Sequence, residues 1–265
     1  MSIKVELISK EEKKSRISFS ISGAGVGYIN TLRRLFMAEV PVIAIEEITF
    51  KNNESGLYDE IVANRLGLLP LTTDLKSYNL QADCKCKGKG CARCQLVMTL
   101  KAKGPCTVYA SDIKSKDPKV KPVFPKTPIT RLLEGQEIEF SAVAIMGLGK
   151  EHTKWSPCLA YYKELVEIKV DKQPDNKEQI IERCPPKIFK MKGDNIVVGD
   201  NVNACLLCNE CVELSSGKIK LNPTKEYLMT IESWGQLEPE EIVQEAMNNY
   251  DKQLGEFVEL VAKIK

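Results

Sequence analysis

Apolar positions along the first fifty residues fall into runs of two different periods. Arg16–Ile21 alternates, with Ile17, Phe19 and Ile21 on one face, which predicts a strand. From Tyr28 to Glu39 the spacing becomes helical, with Ile29, Leu32, Leu35 and Phe36 along one side. Pro41 ends that helix and Val42–Phe50 returns as a strand, so the region reads as two short strands, a helix and a strand. Gly23-Ala-Gly-Val-Gly27 breaks the early pattern. It lacks the Lys-Ser/Thr ending of a phosphate loop and a full dinucleotide fingerprint, so it is read as a turn feeding a helix. A second helix is predicted at Tyr58–Leu68, before Pro70.

From Thr72 to Ile129 the pattern is that of loops, with a cysteine-rich knot at 84–94 and a strand pair near 96–113. Four prolines in the twelve residues Asp117–Pro128 predict a stiff, extended connection. Ile138–Met146, Leu165–Val170 and Tyr227–Ser233 read as strands. After Pro239, a first-turn residue, a helical pattern continues to the C-terminus. Val243, Met247, Tyr250, Leu254, Phe257, Val261 and Ile264 recur at steps of four and three, the heptad seam of a helix packing along another helix. A dimerisation helix is the richer reading of that seam; a terminal helix lying on its own sheet is the plainer one.

Apolar residues make up 43% and charged residues 28% of the 265, ordinary values for a globular protein. A net charge of +2 argues against a dedicated nucleic-acid binder and leaves room only for a local basic patch. The stretch MSIKVELISKEEKK has no apolar core of a secretory signal, and no run is long enough to span a bilayer. A cytoplasmic, reducing location is therefore expected, where ten cysteines read as metal ligands or free thiols.

Those cysteines divide by position. Cys84, Cys86, Cys91 and Cys94 form C-x-C-x4-C-x2-C, with Gly88 and Gly90 letting the chain fold back, and suit a closed tetrahedral zinc site. Lys85, Lys87, Lys89 and Arg93 offset the thiolate charge and leave little apolar cover, which favours zinc over an iron–sulfur cluster there. The second set is Cys184, Cys205, Cys208 and Cys211. Its C-x-x-C-x-x-C triplet is the half-motif of bacterial-type ferredoxins, in which a following Cys-Pro ligates the other cluster. Here Ser215-Ser216 replaces that Cys-Pro, while Cys184-Pro185 upstream has no triplet before it. Pairing the two remnants predicts one 4Fe-4S cluster, with zinc as the alternative. Ile188, Phe189, Ile196, Val197, Val198, Leu206 and Leu207 would supply an apolar shell. Cys106 and Cys158 are left over and read as small buried hydrophobes.

No catalytic constellation is visible. His152 is the single histidine and reads as a structural or interface hydrogen-bonder. Asp59-Glu60 are helix neighbours that point apart. Asn30, Arg33 and Arg34 put two guanidiniums on a helix surface, solvated or anchoring a partner.

Several of these stretches together spell a family. Ile29-Asn-Thr-Leu-Arg-Arg34, Glu39-Val-Pro-Val42, Asp59-Glu60, Asn64-Arg-Leu-Gly-Leu-Leu-Pro-Leu71, Lys121-Pro-Val-Phe-Pro125, Gly149-Lys-Glu-His152 and Trp155-Ser-Pro157 resemble the assembly subunit of cellular RNA polymerases. That family comprises the archaeal D-type polypeptide, the bacterial alpha N-terminal domain and the third-largest subunit of eukaryotic polymerase II. The resemblance implies an α+β chain with a discontinuous alpha-type dimerisation domain (1–48, 158–172 and 224–265). It also implies a mostly-β insert at 49–157 and a ferredoxin-like iron–sulfur domain at 173–223. It implies pairing with subunit L through Ile29, Asn30, Leu32, Arg33, Arg34, Phe36, Val243, Met247, Tyr250, Leu254, Phe257 and Val261. Subunits N and P and the two large catalytic subunits would join that pair, with no direct DNA contact and no membrane. On this reading the chain serves DNA-directed RNA polymerase, a nucleotidyltransferase, without catalytic residues of its own. Two rivals remain: a ferredoxin-like electron carrier, and a zinc-dependent nucleic-acid module built on Lys85–Cys94.

Overall fold

The computed structural model describes residues 2–264. In chain order the elements are β1 (Lys4–Glu11), β2 (Arg16–Ser22), α1 (Val26–Ala38), β3 (Val42–Asn53) and α2 (Asp59–Gly67). There follow β4 (Gln95–Lys103), β5 (Cys106–Tyr109), β6 (Lys114–Ser115), β7 (Pro128–Leu132), β8 (Glu137–Gly147) and β9 (Cys158–Val170). Then come α3 (Lys177–Arg183), β10 (Phe189–Lys192), β11 (Asn195–Val198), α4 (Glu210–Leu214), β12 (Ile219–Ser233) and α5 (Pro239–Ala262). The fold is thus mixed α and β, as the periodicities predict. One predicted pairing fails. β4 and β5 are adjacent in sequence but do not pair; β4 joins β8 and β6, and β5 joins β7.

The chain folds into two compact units. One consists of the chain up to Ser9, Ser18–Asn30 and Tyr161–Thr230; the other of Lys10–Ile17, Thr31–Ala160 and Ile231 onward. Strands β9 and β12 each run unbroken across the boundaries of these units.

The second unit is built on a four-stranded sheet in the order β3-β8-β4-β6, with antiparallel pairings. Strand β8 alternates strictly, burying Ile138, Phe140, Ala142, Ala144 and Met146. Leu96, Met98 and Leu100 of β4 share that inner face, and α2 covers it with Val62 and Leu66, one helical turn apart. On the opposite face Glu139 stands directly across from Lys101 and also receives Lys51.

The first unit contains the sheet in the order β1-β2-β12-β9 and the β10–β11 hairpin. Strand β1 is its edge, with Val5, Leu7 and Ile8 exposed. Around α3 and the hairpin lies a small separate core of Ile180, Cys184, Ile188, Phe189, Ile196 and Ile219. Cys205 and Cys211 pack against its rim.

Helix α5 opens with Pro239 and a capping box between Glu238 and Glu241, the Glu238 amide donating to the Glu241 carboxylate at 3.1 Å. Its first half is seated on its own unit through Ile242 and Ala246, both fully buried. Asn249 donates to the carbonyl of Glu39 at 2.9 Å, and Gln253 to the Glu39 carboxylate at 3.1 Å. From Asp251 to Ile264 every residue is exposed. The first half of the helix is thus anchored in its own unit.

Candidate metal centres

The loop 84–94 is a succession of turns. Gly88 and Gly90 hold φ of +76° and +80°, left-handed values that a side chain would resist, so both glycines are needed for the reversal. The reversal converges four sulfurs. Cys84 lies 3.4 Å from Cys86 and 3.5 Å from Cys91, Cys86 lies 3.5 Å from Cys94, and Cys94 lies 3.8 Å from Cys91. A tetrahedron of zinc–sulfur bonds of about 2.3 Å has edges of about 3.8 Å, so the four thiols already have the spacing one tetrahedral ion requires. Hydrogen bonding with Cys84 pulls the Cys86 thiol down to about 6, while burial pushes Cys94 up to about 12. A bound zinc ion would take every sulfur as thiolate.

Cys184, Cys205, Cys208 and Cys211 line one apolar cavity together with Ile168, Ile180, Pro186, Ile188, Phe189 and Leu206. Cys184 caps the C-terminus of α3 and is buried; Cys211 sits in α4. Between them the triplet loop turns through two left-handed residues, Leu207 at φ +57° and Asn209 at φ +62°. Burial, reinforced by repulsion from Cys205, Cys208 and Cys184, pushes the Cys211 thiol up to about 11, so the four sulfurs sense one another. Yet among the described residues only the 84–94 set brings three or more such ligand atoms within 4.8 Å of one another. The four thiols and their apolar lining are the donor set and cover that an iron–sulfur cluster or a zinc ion would need.

Ser215-Ser216, which replaces the expected Cys-Pro, has a structural task. Ser215 is buried, its hydroxyl donating to the Val212 carbonyl at 3.1 Å and accepting from the Ile219 amide at 3.0 Å. It closes the turn from α4 into β12. The apolar shell is also in place in part: Ile188, Phe189 and Leu206 line the cavity, and Ile196 belongs to the same core. Lys163 of β9, which sequence reasoning missed, donates to the carbonyl of Cys205 at 3.0 Å. No local pattern could have found it, since 42 residues separate the two.

The remaining candidates are dispersed. Cys158 is buried as expected, and burial pushes its thiol up to about 12. Cys106 corrects the expectation: it is exposed, at the first position of β5. His152 caps the short turn Thr153–Trp155, its Nδ1 accepting from the Lys154 amide at 3.0 Å while its ring meets Trp155 edge-on. Asp59 accepts from Asn53 at 2.7 Å in the first turn of α2, apart from any nucleophile. Of the α1 candidates, Ile29, Leu32 and Phe36 are buried within this chain and shape the helix seat instead of offering free surface. Asn30 and Arg33 are half-buried and Arg34 is exposed. Along α5, Val243, Met247 and Tyr250 are half-buried, while Leu254, Phe257 and Val261 are exposed. Among the described residues no helix is long and apolar enough to cross a membrane.

Comparison with known proteins meets this arrangement directly. Residues 43–181 match the family described as the RNA polymerase Rpb3/RpoA insert domain. A protein of Methanosphaera stadtmanae named DNA-directed RNA polymerase subunit Rpo3 is 37% identical, over 88% of this chain and 90% of its own length. Its namesake in Archaeoglobus fulgidus is 36% identical over 96% of this chain and 97% of its own length. That of Thermococcus kodakarensis is 34% identical over 98% and 99%. The order of motifs, the sheet they build and near full-length similarity all lead to one assignment: this chain belongs to the Rpb3/RpoA family of RNA polymerase subunits.

Proposed function

We propose that the chain is a non-catalytic assembly subunit of an archaeal DNA-directed RNA polymerase. Membership of the Rpo3 group over almost the whole length carries this reading. The half of α5 that the chain leaves uncovered supports a partner seat there. Leu254, Phe257 and Val261 are 43%, 63% and 48% exposed, an apolar stripe on a helix whose other half is anchored. Subunit L would pair along this stripe, with Arg34 and the exposed edge of α1 beside the seam residues. Subunits N and P and the two large subunits would then assemble on the pair. On this reading residues 1–48, 158–172 and 224–265 form the dimerisation domain, 49–157 the insert, and 173–223 the cluster-bearing domain.

Cys84, Cys86, Cys91 and Cys94 would hold zinc, supported by their sulfur spacing, and Cys184, Cys205, Cys208 and Cys211 a 4Fe-4S cluster, supported by their triplet motif and shared apolar lining. Both would act as cross-links, since metal binding is folding energy where the open chain has no preformed site. The electron-carrier reading finds no support among the relatives, which carry polymerase names.

The test is anaerobic co-expression of the full chain with the small polymerase subunit of the same archaeon. A one-to-one complex on gel filtration, with near four irons and one zinc per chain, is the expected result. A chain that stays monomeric at micromolar concentration beside that subunit would refute the assembly role.

A further inference from the structure

The basic residues around the second cysteine set are mostly neutralised by carboxylates. Lys218 pairs with Asp175, Lys220 with Asp171 and Arg183 with Glu210. Lys163 differs. It projects from the middle of β9, is half-buried, and among the described residues no carboxylate comes within ion-pair distance of it. Its ammonium donates to the Cys205 carbonyl, 3.0 Å from Nζ, on the loop that carries three of the four thiols. An ammonium held out of bulk water without an acidic partner is costly unless something negative stands beside it. The four thiolates of a loaded centre would be that charge.

We propose that Lys163 is the counter-cation of this centre, tethering the Cys205 end of the triplet and raising the reduction potential of the iron–sulfur group held there. The inference rests on the 4Fe-4S reading of Cys184, Cys205, Cys208 and Cys211. Adding one electron makes the centre more negative, so a fixed cation at its edge stabilises the reduced level more than the oxidised one. Part burial of the lysine limits screening by salt. In the test that electron comes from an added chemical reductant.

The experiment uses the full chain, purified anaerobically, as wild type and as Lys163→Arg, Lys163→Gln and Lys163→Met. Iron and sulfide are measured first, and the midpoint potential is then read by reductive titration. Lys163→Arg keeps charge and donor; Lys163→Gln keeps a donor for the carbonyl but no charge, and so separates tether from charge. Full iron in all four, a wild-type midpoint in Lys163→Arg and a lower one in the two neutral variants is the expected result. The expected shift is about tenfold in the reduced-to-oxidised ratio at fixed poise, or about 59 mV for one electron. Iron lost from both neutral variants but kept by Lys163→Arg would equally support the counter-cation. Unchanged midpoints in iron-replete neutral variants, or iron lost from Lys163→Arg as well, would overturn it. Zinc instead of iron in the wild type would sink the 4Fe-4S reading itself, a result distinct from either.

Discussion

Asn209 holds φ +62° and ψ −2° between the second and third cysteines of the triplet. Left-handed backbone costs an ordinary L-residue about 1–2 kcal/mol, and asparagine is one of the few side chains that visits it readily. Asn209→Val is therefore expected to destabilise the metal-loaded protein by about 1–2 kcal/mol, with Asn209→Gly close to neutral, in denaturant titrations under argon. A loss on Asn209→Gly as large as on Asn209→Val would show that the side chain, not the backbone, matters. Glu139 offers a second test. Hydrogen bonds from Lys101 and then Lys51 hold its carboxyl down at about 2, against an ordinary 4.5. Because the folded value is the lower one, its contribution is present above pH 4.5 and is lost as pH falls toward 2. Glu139→Gln should flatten the fall of stability with acid across that window, and salt should shrink the difference between the two proteins. Neither residue stands out in the sequence as anything but polar, since a charge on a strand gains meaning only from the strand opposite.

Helix α5 divides its work along its length, and two substitutions separate the halves. Ile242 is fully buried, so Ile242→Ala should cost the isolated chain about 2–5 kcal/mol, read from the denaturant midpoint. Phe257 is 63% exposed, so Phe257→Ala should leave that midpoint within about 0.5 kcal/mol. If Phe257 is a central anchor for subunit L, the same change should weaken the pair by about 2 kcal/mol, roughly thirtyfold in Kd. Equal affinity of the two proteins for the small subunit would remove Phe257 from the interface. The heptad spacing was legible without coordinates; that the chain itself takes Ile242 and Ala246 and leaves Leu254 onward bare was not. The mispaired expectation for β4 and β5 has a similar origin. Sequence neighbours form a hairpin only when no distant strand competes, and β8 and β7 take the two places.

Two of the buried clusters differ greatly in size: the broad sheet-and-helix interior around β8, and six residues at the cysteine cavity. So small a core is marginal without a cross-link. Replacing Cys205 and Cys208 together by serine should unfold residues 173–223, read as loss of amide-exchange protection there, while protection along β3, β4 and β8 persists. Loss of protection in both places at once would mean that the cysteine set holds more of the molecule than its own core. Which cysteines belong together, the capped terminal helix, the major strands and the family were all legible in the residues, because spacing, periodicity and punctuation are local properties of a chain. The burial of Ile29, Leu32 and Phe36, the exposure of Cys106 and the approach of Lys163 to Cys205 were not. Each depends on segments remote in sequence meeting in space, and only the packed tertiary structure decides which side chain meets which.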